Sequence, residues 1–261
     1  MEQGRNSRPL KARLSSVANS IRLLSSFSGQ ENELGITVLA SRLKLAKSTV
    51  HRLAATLTAA RFLEQNGETG KYRLGLALFE LGALVRARMD VADAARQKLR
   101  ELLETTGETV QLGIIDHQSV LYIYEMESRR AIRMAAAVGA RAPLHCTAVG
   151  KVLLASQPED YVKQVLELGL KAYTPKTITK NEALLEALAE VQQHDYATDD
   201  EESETGLRAI ASPVRNHTGQ VIAAVGLAAP VQRMNKQVMK TCVPSVIATA
   251  SAVSARLGYV P

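Results

Sequence analysis

The residues whose types and spacing point most directly to chemistry lie between positions 47 and 52, in the sequence KSTVHR. At about 100° per residue along a helix, Val50 and Leu53 share an apolar side, and the polar residues face the opposite way. A helix with an apolar back and a basic, polar front fits the major groove of DNA, which is about 12 Å wide. This stretch predicts hydrogen bonding to bases and phosphates by Lys47, Ser48, Thr49, His51 and Arg52. The alternative is a basic helix face that only meets water.

Residue types suited to catalysis occur elsewhere, but their spacing matches no enzyme motif. His145 and Lys151 are candidates by type, and the acidic run Asp199–Glu202 could hold a divalent cation, because hard cations favour carboxylates. The sequence has no GxSxG elbow and no GxGxxG turn, and residues 150–152 (GKV) lack the hydroxyl residue that follows the lysine of a P-loop. We therefore predict no enzyme, no catalytic residue, no metal site and no cofactor. We interpret His145 and Lys151 as structural, and the acidic run, Asp199 excepted, as a solvated turn.

The two cysteines, Cys146 and Cys242, are far apart in the sequence and belong to no CxxC pair. A reducing compartment would keep both as thiols. No apolar run approaches the roughly 18 uncharged residues of a membrane span. Residues 1–13 are charged, with no apolar stretch of a secretion signal after them. We interpret them as a flexible basic arm and predict a cytoplasmic protein.

The elements that must position residues 47–52 can be predicted from the flanking sequence. Apolar residues at helical spacing predict a helix over Leu14–Phe27 and another over Ile36–Leu43. Downstream, residues 62–65 and 71–74 pair across a Gly-containing loop of hairpin length. Together these elements predict a winged helix-turn-helix over residues 14–75, whose wing contacts DNA through Lys71 and Arg73.

Positive charge is concentrated in the same part of the chain. Residues 1–90 contain 14 Lys and Arg against 7 Asp and Glu, whereas residues 91–261 contain 18 against 19. The formal net charge of +6 therefore resides in the first third of the chain. A basic module joined to a nearly neutral one is the electrostatic pattern of a nucleic-acid-binding protein. The length of 261 residues suffices for two domains that each bury a core.

Residues 76–89 form a predicted linker helix that is apolar around most of its surface. Leu76, Phe79, Leu81 and Leu84 belong to this surface, and it needs a second surface to cover it. Packing against the same helix of another subunit would give a twofold dimer. Such a dimer would read a palindromic or repeated operator. The alternative is that the helix packs on its own domain.

The remaining residues, 90–261, predict an α+β domain in which helices surround antiparallel strands. Predicted strands cover residues 110–115, 120–124, 131–135, 196–198, 207–214 and 221–227, and residues 139–143 are predicted as a loop. Predicted helices cover residues 90–106, 147–156, 158–168, 181–194 and 232–257, with Asn181 as the N-cap of the fourth.

Four motifs resemble one known family. Residues 143–155, PLHCTAVGKVLLA, are similar to the PLHxTAxGKxLLA signature of the IclR family of bacterial transcriptional regulators. The likeness continues in residues 196–214, and Lys47–Leu53 and Tyr72–Gly75 fit that family's recognition helix and wing. The resemblance covers about residues 14–257, in the family's order and spacing. It implies a winged-helix DNA-binding domain, a linker helix and a GAF-like effector domain that binds a small metabolite, in dimers often paired into tetramers on DNA.

The resemblance also implies which residues bind the effector. They are Leu121, Met134, Gly139, Ala140, Asp199, Leu207, Ala209, Gly226 and Ala228. The sequence departs from the family pattern at Ala209, where many members have Cys, and at Gly226 and Ala228, where many have Ser. Arg61 also stands where the family usually has Gly.

A pocket that lacks these three polar side chains would be wider and less polar. It would favour an aromatic or otherwise hydrophobic organic acid, with backbone N–H groups of the Gly139 loop as candidates for receiving the carboxylate. The alternative is that the substitutions only adjust core packing.

The function predicted is that of a DNA-binding transcriptional regulator whose operator binding is controlled by a small organic acid. The mechanism would be a ligand-dependent change in the spacing of two recognition helices, driven by unequal affinity for two states. Two alternatives stay open: an interaction module that uses its winged helix for protein contacts, and a small-molecule enzyme that uses its C-terminal domain.

Overall fold

The computed structural model describes residues 15–28, 31–86, 90–130 and 137–260. The predicted basic arm, the predicted strand over residues 131–135 and Met134 lie outside these ranges. The chain divides into two compact units, Met1–Arg88 and Met89–Pro261.

The first unit is a winged helix-turn-helix followed by a further helix. Its elements are α1 (Ser15–Leu24), α2 (Ile36–Leu43), α3 (Lys47–Ala59), β1 (Leu63–Gln65), β2 (Tyr72–Leu74) and α4 (Leu76–Arg86). Leu23, Leu39, Val50 and Leu63 meet in its core and are almost completely buried. The two strands form an antiparallel hairpin, and the predicted fold of this region is confirmed.

Arg61 joins the recognition helix to the wing in a backbone conformation that usually requires Gly. Its φ of 61° lies in the left-handed region. Its guanidinium reaches Glu80 on α4, with 3.1 Å between Nη2 and Oε1. The Arg61 carbonyl accepts a hydrogen bond from the N–H of Ala77. The departure from the family's Gly therefore leaves the wing intact and ties its start to α4.

The second unit is built on one antiparallel sheet. Its strands are β3 (Thr109–Asp116), β4 (Ser119–Met126), β5 (Arg141–Pro143), β6 (Ala197–Asp200), β7 (Leu207–Arg215) and β8 (Val221–Pro230), in the spatial order β5-β4-β3-β8-β7-β6 among the described residues. Its helices are α5 (Asp90–Thr106), α6 (Ala148–Ala155), α7 (Glu159–Glu167), α8 (Asn181–His194) and α9 (Lys236–Arg256). The predicted α+β class is confirmed.

Two hydrophobic cores cover the two faces of this sheet. Residues of α5 and α9 pack on one face, around Leu99, Leu112 and Val225. Residues of α6, α7 and α8 pack on the other face, around Val120 and Leu154. The second core borders the cavity described below.

Three local expectations are wrong. Residues 141–143 belong to a short edge strand rather than to a loop, because Arg141–Pro143 pairs with the start of β4. The N-cap of α8 is Lys180, so Asn181 is the first helical residue and caps nothing with its side chain. The acidic run is not a solvated turn: Asp199 and Asp200 end strand β6, and Glu202 is buried.

Helix α9 is the one helix, among the described residues, that is long and apolar enough to cross a membrane by length and composition alone. Val246, Ala250 and Val253 along it are fully buried in the core beside α5. This pattern is typical of a core helix that packs on a sheet.

Candidate functional site

Helix α3 presents its polar residues to solvent and its apolar residues to the core. Val50 and Ala54 are fully buried, which fixes the rotation of the helix about its axis. The side chains of Lys47, Ser48, His51 and Arg52 are exposed, and Thr49 is half-buried. The predicted DNA-contacting residues therefore form one open basic surface, and Thr49 is at its edge.

The N-termini of α2 and α3 lack side-chain caps. Gly35 and Ala46 occupy the two N-cap positions and make no side-chain hydrogen bond. The first backbone N–H groups of each helix consequently have no side-chain acceptor. Such groups, together with the helix dipole, favour an anion such as a DNA phosphate. Lys47 and Ser48 stand at the same end of α3, so this surface suits phosphate contacts as well as base contacts.

The two predicted wing residues differ in their surroundings. Lys71 is exposed and forms no ion pair with any described residue. Arg73 pairs across the hairpin with Glu64, at 2.9 Å between Nη2 and Oε2. To reach a phosphate, Arg73 must leave this carboxylate, whereas Lys71 is available at once.

A cavity of about 280 Å³ lies in the second unit, between the sheet and the start of α6. Strands β3, β4, β5, β7 and β8 contribute to its wall, as do the first residues of α6 and the segment after β6. Its described lining is Gln111, Tyr122, Ala140, Arg141, Ala142, Pro143, Thr147, Ala148, Val149, Tyr173, Asp199, Ser203, Glu204, Leu207, Ala209, Gly226 and Ala228.

Six residues predicted for effector binding line this cavity together: Ala140, Asp199, Leu207, Ala209, Gly226 and Ala228. Leu121 does not line it, because strand residues alternate between faces and its neighbours Val120 and Tyr122 belong to the cavity-side core. Gly139 does not line it either. Met134 lies outside the described residues.

Two of the backbone N–H groups that the Gly139 loop was expected to offer a carboxylate are engaged within the protein. The N–H of Gly139 donates to the carbonyl of Tyr122 at 2.7 Å, and that of Ala140 donates to Ala137 at 2.8 Å. The charged donor on the cavity wall is instead Arg141, which is half-exposed and also pairs with Asp116 and Ser119. The hydrogen bond from Arg141 lowers the pKa of Asp116. An acid at the mouth of the cavity would meet this guanidinium.

Asp199 is the most buried carboxylate on the cavity wall, with 1% of its surface exposed. Its Oδ1 accepts a 2.7 Å hydrogen bond from the N–H of Glu202, and its Oδ2 accepts one from the hydroxyl of Ser203. Burial raises the pKa of Asp199, against the opposing effect of these hydrogen bonds. Asp199 thus caps the turn after β6 and presents a carboxylate to the cavity.

Several cavity residues were missed by sequence reasoning. Gln111 carries a signal that could have found it, since it is a polar residue inside the apolar run VQLGII. Tyr122 was missed by one position, because the sequence does not reveal which strand residues face the helices. Tyr173 has no local sequence signal and belongs to an irregular segment. The Thr177 hydroxyl holds this segment in place, because it accepts a hydrogen bond from the N–H of Tyr173 and donates one to the carbonyl of Glu202.

The residues suited to catalysis are engaged in structural contacts. Lys151 is buried and pairs with Glu202, at 2.5 Å between Nζ and Oε1. His145 approaches the carbonyl of Lys171 at 3.0 Å, and burial lowers its pKa. Burial raises the pKa of Cys146 to about 12, so its thiol stays protonated. No cluster of three His, Cys, Asp or Glu that could hold a metal occurs in the described part of the chain.

Both units match known family models. The model described as IclR helix-turn-helix domain matches residues 16–67, and the model described as bacterial transcriptional regulator IclR C-terminal matches residues 83–255. The chain belongs to the IclR family of bacterial transcriptional regulators. As an IclR-family regulator, it has a DNA-binding helix-turn-helix domain and a C-terminal ligand-binding domain, and the predicted resemblance is confirmed.

Relatives of this IclR-family chain match it over most of its length. The HTH-type transcriptional regulator KdgR of Escherichia coli strain K12 is 42% identical over 232 residues, which cover 88% of each chain. XynR of the same strain is 38% identical over 247 residues, which cover 94% of this chain and 98% of XynR. The crystal structure of an IclR homologue from Microbacterium hydrocarbonoxydans, complexed with 4-hydroxybenzoate, has a TM-score of 0.84 at 28% identity, covering 93% of this chain and 99% of that one.

Proposed function

We propose that this regulator binds operator DNA through α3 and the wing, and that a small organic acid in the cavity of the second unit changes its operator affinity. The observation that carries the proposal is an exposed basic helix in one unit together with a ligand-sized cavity in the other. The acid acts only if its affinity differs between the DNA-binding and the non-binding state. The protein acts in the cytoplasm, where its DNA is, and catalyses no reaction.

On DNA, Arg52 and Ser48 meet bases or phosphates from the major groove. Lys47 and the uncapped N-termini of α2 and α3 meet the phosphate backbone. Thr49 and His51 complete the surface of α3, and Lys71 and Arg73 extend it along the wing.

In the cavity, the carboxylate of the acid binds near Arg141, and its other end faces the inner wall. The Asp199 carboxylate can accept a hydrogen bond from a hydroxyl there, and the Gln111 amide can donate or accept one. Leu207, Ala209 and Ala228 offer apolar surface. An aromatic or otherwise hydrophobic acid is the first class to test, and the 4-hydroxybenzoate complex of the Microbacterium homologue supports this choice. The missing side chain at Gly226 does not widen the cavity, because Val149 fills the space of a side chain at that position.

The protein works as a homodimer, and pairs of dimers form tetramers on DNA. Helix α4 supports this assembly, since Phe79 is 75% exposed and Leu84 is 67% exposed. Apolar side chains this exposed gain most by packing against a second copy of the same helix.

Binding to DNA selected from a random duplex pool tests the proposed function. We expect selected duplexes to bind with an affinity that falls steeply as salt increases, because phosphate contacts release counterions. Benzoate, 4-hydroxybenzoate and short aliphatic acids are then titrated against the complex, and at least one should change the affinity severalfold. An interaction module that uses its winged helix for protein contacts would select no duplex, and that result would refute the proposal.

A further inference from the structure

Two glycines on the paired strands β3 and β8 form a socket beneath α6, and we call Gly113 and Gly226 the glycine socket. A Cβ added at Gly113 would lie 2.6 Å from Cγ1 of Val149, and one added at Gly226 would lie 2.8 Å from its Cγ2. Packed side chains do not approach one another so closely. The two methyl groups of Val149 therefore occupy the space of two missing side chains.

Val149 is held firmly in the socket by the start of α6. The Thr147 hydroxyl donates to the carbonyl of Pro143 at 2.7 Å and accepts from the N–H of Gly150 at 3.0 Å. A Cβ at Gly150 would lie 2.5 Å from the carbonyl oxygen of Leu144, so the helix start packs tightly on the preceding turn. Because a β-branched Val side chain in a helix has one strongly preferred χ1 rotamer, moving its methyl groups away from the sheet would be energetically unfavourable.

Val149 is at the same time part of the cavity wall, with 3% of its surface exposed. Gly226 lines the cavity beside it. The loss of a side chain at position 226 consequently brings α6 closer to the sheet and does not enlarge the cavity at this point.

From this geometry we infer that Val149, seated in the glycine socket, sets the size of the effector cavity and thereby selects short acids over bulky ones. This inference deepens the proposed function and rests on it. Ala at position 149 would lack both methyl groups and leave room either for a larger ligand or for a side chain at position 226. Val152 provides a matched control, because it is fully buried in the same core and does not line the cavity.

A stability cycle tests the socket without any ligand. Gly226→Ser is made in the full chain, alone and with Val149→Ala, and urea unfolding of the second unit is measured. With Val149 present, we expect Gly226→Ser to increase the unfolding equilibrium constant about tenfold or more, as overpacked cores do. With Ala at position 149, Gly226→Ser should increase the unfolding equilibrium constant less than about threefold. An equal cost in both backgrounds would overturn the inference.

Gly113→Ala provides a second test of the glycine socket. A Cβ at Gly113 would also lie 2.8 Å from Cγ1 of Val120. Val149→Ala should therefore restore only part of the stability that Gly113→Ala removes. It should restore almost all of the stability that Gly226→Ser removes. Complete rescue of both, or rescue of neither, contradicts the geometry of the socket.

Calorimetry with benzoate and 2-naphthoate tests the effect on selectivity. We expect Val149→Ala to raise the affinity for 2-naphthoate relative to benzoate by about tenfold, and Val152→Ala to leave this ratio unchanged. An equal ratio in the two variants would overturn the inference. If neither acid binds any of these proteins, the choice of an aromatic acid and the proposed selectivity both fail, and the stability cycle then tests only whether Val149 fills the glycine socket.

Discussion

Arg52 stands on the exposed side of α3 and makes no ion pair with any described residue. If its guanidinium reads a guanine, Arg52→Ala should weaken operator binding by about 1–3 kcal/mol. Fluorescence anisotropy with a selected duplex measures the loss. Arg96→Ala removes the same charge from an Arg–Asp pair on α5 and should leave the affinity nearly unchanged. Unaltered operator affinity of Arg52→Ala would refute the proposed docking face.

Glu125 on β4 is a second residue with a measurable consequence. Both of its carboxylate oxygens are buried and lack a hydrogen-bond partner of ordinary geometry among the described residues. Burial, followed by the charge of Glu127, raises the pKa of Glu125 to about 7, although the nearby Gln111 amide acts in the opposite direction. Folding therefore favours the protonated carboxyl group.

The raised pKa of Glu125 predicts how the stability of the second unit depends on pH. Because the folded-state pKa is above the ordinary 4.5, the native state binds more protons than the unfolded state between these values. The contribution of the protonated Glu125 carboxyl group to folding stability is fully present below pH 4.5 and is lost as pH rises to about 7. Glu125→Gln should remove roughly 1–2 kcal/mol of this pH dependence, as measured by urea unfolding from pH 5 to 8. The exposed Glu186→Gln should retain it, and an unchanged profile in Glu125→Gln would contradict the assignment.

The junction between the wing and α4 depends on one close backbone approach. A Cβ at Gly75 would lie 2.2 Å from the carbonyl oxygen of Arg61. Gly75→Ala should therefore lower the melting temperature of the first unit by several degrees or more, because one of the two backbones must move. Gly67→Ala at the wing tip, where nothing lies within 4 Å, should change it little. Equal melting temperatures of the two variants would show that the junction is more compliant than this contact implies.

Helices of this protein could be predicted well from sequence, because their apolar period is a local signal. The predicted bounds of α5 and α8 are those of the structure. Strand β5 was missed because it has three residues and includes a proline, so only its pairing with β4 defines it. Similarly, Lys151 and Glu202 lie 51 positions apart in the sequence, and no local sequence pattern predicts their contact.

The cavity was predictable in part. The family resemblance located six of its residues, on β6, β7, β8 and the segment before β5. It failed at β4, where the face of each residue depends on register. Opposite Leu112 and Gly113, strand β4 carries the extra residue Ile123, and such a bulge reverses the alternation beyond it. No sequence pattern reveals that Val149 fills the position that Gly226 leaves open.

The apolar surface of α4 makes a prediction about the whole assembly. Phe79→Asp should shift the protein from dimer to monomer in sedimentation velocity, because a buried charge in an apolar interface is strongly unfavourable. Operator affinity should fall with it, since a monomer presents only one recognition helix. Leu185→Asp, at an exposed leucine of α8, should leave the mass and the affinity unchanged. A dimer that survives Phe79→Asp with full affinity would refute assembly through α4.

The division of charge between the two units explains why one chain can perform two tasks. A net charge of +7 in residues 1–90 attracts DNA, whereas the nearly neutral remainder of the chain contributes little to that attraction. Thermodynamic linkage also makes the coupling reciprocal. If the acid changes the affinity for the operator by a given factor, the operator changes the affinity for the acid by the same factor.

The most direct test of this account is a titration of the full-length protein against a selected duplex at increasing salt, with and without saturating effector acid. We predict tight binding at low ionic strength, a steep linear fall of log K with log salt, and a severalfold displacement of the whole line by the acid. Failure to bind duplex DNA at low ionic strength, both with and without the acids, would contradict the account.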